Sequence, residues 1–159
     1  MAAGGKHIMS LEQEVELIRQ FRIFSKIDPA MQKLLCFSSE RLTFDAGQVM
    51  FHAGDEADAA YVVIEGTVEI SVPTPSGPFV VNTMKPNDIV GEIAIFGEVP
   101  RTATATALTR LETLRISKEV FTNVIRQSPD AALELVRILA ARLANTTAQL
   151  SRTISGNNK

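Results

Sequence analysis

The chain has 159 residues, of which 16 are basic and 18 acidic; that length suits one domain with a real core, and the near-neutral balance excludes a protein that grips nucleic acid through a broad basic face, though not one that holds a single small anion. Its one cysteine, Cys36, excludes a disulfide framework and any cysteine-ligated zinc or iron–sulfur centre built within the chain. No apolar run approaches the ~20 residues of a membrane span.

The opening MAAGGKHIM is patternless. It reads as a disordered or vector-derived tail over 1–9 in which His7 has no role, and it lacks the basic, apolar and small-residue order of a signal peptide. A cytoplasmic protein is expected. Ser10, with Gln13 three residues on, forms a capping box ahead of Leu11, Val15, Leu17 and Ile18. Asp28 and Pro29 open a second helix, so 10–38 is a short helical lead-in. Within it Cys36 is expected as a small buried hydrophobe, not a reactive thiol.

From about 41 to 116 the texture is β. Short runs (RLTF, QVMFH, AAYVVIEG, TVEISV, FVVNTM, TATATAL, TLRIS) are punctuated by Gly, Pro, Asn and Asp. Glu65-Gly66 divides two apolar runs as a hairpin turn does, VPTPSGPF reads as a loop with three prolines, and His52 as an ordinary strand residue. Many short, evenly spaced strands predict an antiparallel barrel, roll or jelly roll. The segment GEIAIFGE interrupts them with about two helical turns.

Helices return at Ser117, which caps KEVFTNVIRQ, and at Ser128-Pro129, which opens the longest periodic stretch of the chain. Ala132, Val136, Leu139, Leu143, Thr146 and Leu150 follow a four-three spacing. This suits either a two-helix dimer seam or one broad face packed on the barrel; Leu135 and Ile138 lie off it and suit the helix's own domain. The remainder, SRTISGNNK over 151–159, reads as a flexible tail.

GEIAIFGEVPRTATATAL, residues 91–108, carries the chemistry. Gly91 lets a ligand approach the backbone, the helix after it offers unpaired N–H groups, and Arg101 brings a planar fork that matches phosphate oxygens. Glu92 suits a sugar hydroxyl, from which its carboxylate can accept a hydrogen bond. Together they ask for a ligand with a phosphate on one side and a ribose hydroxyl on the other. The alternation from Thr102 to Ala107 has the strand period, with a methyl-sized face that leaves a ligand room. A Glu and an Arg nine apart equally suit a surface ion pair, and Glu98 reads as solvated surface. No nucleophile–base pair or metal cluster appears, so neither an enzyme nor a metal site is expected.

This stretch resembles the phosphate-binding cassette of cyclic nucleotide-binding domains: Gly-Glu, a short helix, Pro-Arg-Thr-Ala-Thr, then a strand. AGQVMFHAGDEADAAYVVIEGTVEI resembles the early β-roll of that family, and KPNDIVGE its approach to the cassette. The resemblance spans about 10–150 and implies a mainly β fold with flanking helices. That fold is an eight-stranded antiparallel β-roll or jelly roll with short N-terminal helices, a short phosphate-cassette helix and a long C-terminal helix at about 129–150. It implies that Glu92 binds the ribose 2′-hydroxyl and Arg101 the cyclic phosphate. The backbone around Gly91, Ile93, Ala94 and Ala103 then holds phosphate and sugar, and Thr102 backs the phosphate or a guanine edge. The last helix resembles the dimer helix of the bacterial catabolite-activator branch. This implies that Arg142 reaches the cassette glutamate, that Thr146 and Thr147 contact the adenine, and that two protomers join there; Thr146 as a simple seam residue stays open.

Transcription factors of that branch continue into a helix-turn-helix domain, whereas this sequence ends soon after the dimer helix. The single cysteine argues against the oxygen-sensing iron–sulfur members, and His52 has no evident haem partner. The expectation is a free-standing or excised sensor domain, without cofactor, that binds cAMP, dimerises and signals to an unknown effector protein, with no nucleic acid or membrane as partner. A cGMP sensor, a protein-interaction module that kept the fold without its ligand, and an enzyme acting on cyclic nucleotides are the alternatives.

Overall fold

The computed structural model describes residues 10–157, so the tail expected over 1–9, with His7, lies outside the described residues. Side-chain caps start the first two α-helices. Ser10 Oγ accepts from Gln13 N at 3.2 Å and Gln13 Oε1 from Ser10 N at 3.0 Å, closing the box ahead of α1 (Leu11–Gln20). A 3-10 turn (Arg22–Phe24) leads to α2 (Pro29–Ser38), where the Asp28 carboxylate accepts from Met31 N at 2.9 Å. Pro29, lacking an N–H, sits where none is needed.

Eight strands follow: β1 (Glu40–Phe44), β2 (Val49–Phe51), β3 (Ala59–Glu65), β4 (Val68–Thr74), β5 (Gly77–Met84), β6 (Ile89–Val90), β7 (Thr104–Ala107) and β8 (Leu111–Ser117), with α3 (Glu92–Gly97) between β6 and β7. They make two four-stranded sheets, ordered β1-β8-β3-β6 and β2-β7-β4-β5, with every pair antiparallel. This is the expected roll. The run AAYVV is apolar throughout because β3 is covered on both faces. Ala59, Tyr61 and Val63 pack between the sheets with Phe44, Val68, Ala105 and Leu111; Ala60 and Val62 pack under the helices with Ile18, Phe24, Leu35 and Phe121.

The expected hairpin at Glu65-Gly66 is not one. β3 pairs with β6 and β8 while β4 pairs with β5 and β7, so this turn carries the chain from one sheet to the other. Gly66 is required there: φ is +96°, and a Cβ would run into the Arg110 carbonyl. The hairpin lies instead in VPTPSGPF, expected as a loop. β4 and β5 pair through Pro73↔Pro78 and Thr74↔Gly77 around Pro75-Ser76. Pro78 is tolerated because β5 is an edge strand. His52 is an exposed turn residue just past β2, its N–H donating to Asp55 Oδ2 at 2.9 Å.

Ser117 Oγ accepts from Val120 N at 3.3 Å to start α4 (Lys118–Gln127), and Ser128 Oγ from Ala131 N at 3.2 Å to start α5 (Pro129–Asn157). α5 therefore runs through much of the segment expected as a flexible tail after 150; that stretch is polar but holds no breaker before Gly156. Leu135 is buried in the helical cluster and Ile138 packs against it, as expected of residues off the seam. Leu139, expected on the seam, packs there too, whereas Val136, Leu143 and Leu150 are exposed. Cys36 also packs against this cluster, and burial, then the Glu14 charge, pushes its thiol up. No helix among the described residues is long and apolar enough to cross a membrane.

Candidate functional site

β6 ends at Val90, and Gly91 then turns the chain into α3 at φ +92°. A Cβ at this position would collide with the Arg101 guanidinium, so the close approach that suggested glycine is made by the chain's own arginine. Arg101 is held at both its backbone and its side chain. Its N–H donates to Asp55 O and its carbonyl accepts from Gly54 N, each at 2.8 Å, which ties it to the loop between β2 and β3. Nη1 donates to Gly91 O at 2.8 Å and Nη2 to Ala59 O at 2.6 Å, with the guanidinium 4.1 Å from the centre of the Phe51 ring.

Arg101 is only 4% exposed, and its nearest carboxylate is Asp58 at 3.8 Å. Burial holds its pKa below the ordinary arginine value, while Tyr61, Asp58 and Asp55 act the other way. Nε has no hydrogen-bond partner. A buried cation with one donor unmet and its carboxylate this distant has the chemistry to take an anion.

Glu92 opens α3 and is 1% exposed. Its Oε1 accepts from Arg142 Nη1, and Arg142 Nη2 donates to Ile89 O, so α5 is fastened to the corner of β6 and α3. Burial lowers the Arg142 pKa against the pull of Asp88. Glu92 Oε2 has no partner. One cavity of about 60 Å³ meets both unsatisfied residues. Its wall contains Gly91, Glu92, Ile93, Ala94, Arg101, Thr102, Ala103 and Arg142, so eight of the ten residues expected at the site meet there.

Thr146 and Thr147 do not meet it. They are exposed on α5, and Thr147 Oγ1 donates to Leu143 O at 2.9 Å. The methyl face of the Thr/Ala run is also placed differently from expectation. Only Thr102 and Ala103 reach the cavity; Ala105 and Ala107 are packed between the sheets and leave no room there. Glu98 is exposed as expected and ends α3 in the left-handed region at φ +52°. Phe51, Ile70, Met84 and Val90, which complete the wall, were not anticipated. Nothing in their alternating strand pattern marks them, because the contacts join distant segments. No cluster of His, Cys, Asp and Glu suited to a metal occurs among the described residues.

Residues 41–128, more than half of the chain, match the family model described as the cyclic nucleotide-binding domain. The chain is 29% identical over 140 residues to the CRP-like cAMP-activated global transcriptional regulator of Mycobacterium tuberculosis, covering 87% of this chain and 62% of that protein. It thus spans less than two thirds of that relative. Its fold is similar to the sensor domain of the transcriptional regulator DNR from Pseudomonas aeruginosa, with a TM-score of 0.74 and 26% identity over 84% of this chain and 90% of that one. It is also similar to the N-terminal domain of a transcriptional regulator from Streptomyces coelicolor A3(2), with a TM-score of 0.62 and 31% identity over 84% and 94%. With Gly91, Glu92 and Arg101 all inside the matched span, the chain belongs to the cyclic nucleotide-binding domain family, whose members here are regulatory domains.

Proposed function

We propose that this chain is a cAMP-responsive sensor domain, formed by residues 10–150 as one ligand-binding unit, and not an enzyme. The observation that carries the reading is the pair of opposed, buried and incompletely satisfied charges, Arg101 with Nε unmet and Glu92 with Oε2 unmet, on one cavity. Arg101 takes the cyclic phosphate and Glu92 accepts from the ribose 2′-hydroxyl through Oε2 while Arg142 stays on Oε1. The backbone at Gly91, Ile93, Ala94 and Ala103 lines the phosphate and sugar, and Thr102 backs them. The cAMP-activated relative supports cAMP over cGMP. Thr146 and Thr147 lie off the chain's own cavity, so they read adenine from a second protomer, across a dimer formed by α5. No other cofactor is needed, and the protein acts in the cytoplasm.

Ligand in the cavity shifts the population of α5 positions through Arg142, and α5 then presents a different face to an effector protein. A second reading has its own support. The cavity is small beside the roughly 300 Å³ or more of ordinary ligand clefts, and both Nη atoms of Arg101 already hold carbonyls, which suits an interaction module that kept the fold. Calorimetry with cAMP and cGMP on the wild type and Arg101→Ala separates them. The sensor reading expects tight cAMP binding and a loss of about 2–5 kcal/mol in the variant, since a buried phosphate is left unpaired. No binding by the wild type, or equal affinity in the variant, refutes it; stronger cGMP binding reassigns the base; hydrolysis of cAMP during incubation makes it an enzyme.

A further inference from the structure

Asp58 stands just before β3, outside the cavity wall, and joins two arginines. Its Oδ1 lies 3.8 Å from Arg101 Nη2, and its Oδ2 accepts from Arg115 Nη2 at 3.0 Å. Arg115 Nη1 continues the row to Glu40 Oε1 at 3.4 Å. The Asp58 backbone is fixed by Lys118, whose N–H donates to its carbonyl at 2.8 Å. The carboxylate itself is 68% exposed, so neither the core nor a strand register depends on it.

Arg101 offers one positive charge, and Asp58 already draws on it; Asp55 acts on it in the same sense. The other cation of the wall, Arg142, is paired with Glu92. A first negative charge arriving at Arg101 meets a buried guanidinium with an unmet donor. A second charge on the same phosphate finds no further unpaired cation in the wall, is repelled by Asp58 from beyond the guanidinium, and must shed its hydration as well.

We propose that Asp58 sets the charge class of the anion that Arg101 accepts, favouring a phosphodiester with one negative charge over a phosphomonoester with two. The inference rests on the reading of this cavity as a nucleotide site. Cyclisation of the nucleotide is then recognised by charge as well as by shape.

The test is calorimetric titration of cAMP and 5′-AMP at pH 7.5, where a phosphomonoester with a second ionisation near 6 is largely dianionic. The readout is the ratio of the two dissociation constants, in which any common loss from a misplaced Arg101 cancels. Asp58→Asn is expected to narrow the preference for cAMP by about two- to fivefold, the scale of an exposed charge pair. Asp58→Glu is expected to keep the wild-type ratio. Glu40→Gln removes the same charge from a residue that reaches Arg115 and not Arg101, and is expected to leave the ratio unchanged. A wild-type ratio in Asp58→Asn, or an equal narrowing in Glu40→Gln, overturns the inference alone. Failure of the wild type to bind cAMP removes the nucleotide reading and the inference with it.

Discussion

Gly91 ties the backbone of the cavity to its buried charge. Its φ of +92° is open to glycine and strained for any other residue, and its missing side chain makes the space that the Arg101 guanidinium fills. Gly91→Ala therefore imposes two penalties at one point, a backbone in a sparsely populated region and a displaced buried cation. Thermal denaturation of Gly91→Ala is expected to show a loss of roughly 1–3 kcal/mol from strain alone. Because the displaced group is the one proposed to hold the anion, the variant is also expected to lose nucleotide affinity beyond any loss of stability. Gly47→Ala is the control: it too has φ near +90°, yet a Cβ there meets nothing within 4 Å, and its N–H donates to Ala107 O, not to Arg101. It is expected to be strained but to bind normally. Equal affinities in the two glycine variants separate Gly91 from the role given to it here. The residues whose chemistry is local were legible in the sequence for this reason. A Gly, a Glu and an Arg in an apolar run announce themselves, whereas Phe51 under the guanidinium and Asp58 beside it are joined to Arg101 only by the fold.

At the scale of elements, α5 reaches the cavity through one side chain, Arg142. Leu135, Ile138 and Leu139 pack its first half on the helical cluster, and Arg142 then clamps it to Glu92 and to the Ile89 carbonyl. From residue 143 to 156 every side chain is exposed. Arg142→Met removes the clamp and leaves the Glu92 carboxylate buried without a partner. Chemical denaturation is expected to register a loss towards the roughly 3–5 kcal/mol of a broken buried pair. In the double variant Glu92→Gln/Arg142→Met most of that loss is expected to return, because no charge is stranded. If the single variant is as stable as wild type, the pair does not hold α5. Element starts were readable because Ser10, Asp28, Ser117 and Ser128 cap their helices by contacts within three residues. Strand partners were not. A period of two tells which residues share a face but not which strand lies alongside, so the step from β3 to β4 passed for a hairpin. The prolines that define the real hairpin passed for a loop, because Pro78 is compatible with pairing only on an edge strand, and Pro73 only beyond the stretch of β4 that pairs with β7.

For the whole molecule the unsolved problem is the far half of α5. At about 1.5 Å per residue its 29 residues run some 43 Å, and Val136, Leu143, Leu150 and Ile154 form an exposed apolar line along it. Leu143 is 69% exposed and belongs to neither core cluster, so a substitution there is expected to disturb little within the protomer, and a large change in behaviour points to a partner. The spacing of seven between Val136, Leu143 and Leu150 is that of a two-helix seam. Sedimentation of the wild type at micromolar concentration is expected to show a dimer and that of Leu143→Glu a monomer, with the unfolding transition of the dilute protein little altered. Because Thr146 and Thr147 stand on the same exposed half and away from their own cavity, the proposed dimer is what would bring them to the base, and separating the protomers is expected to remove them from it. Leu143→Glu is therefore expected to retain the phosphate and ribose contacts of Arg101 and Glu92, yet to lose much of the preference between cAMP and cGMP. A wild type that sediments as a monomer, or a monomeric variant with its preference intact, would show that each protomer reads its ligand unaided and that the apolar line serves some other partner.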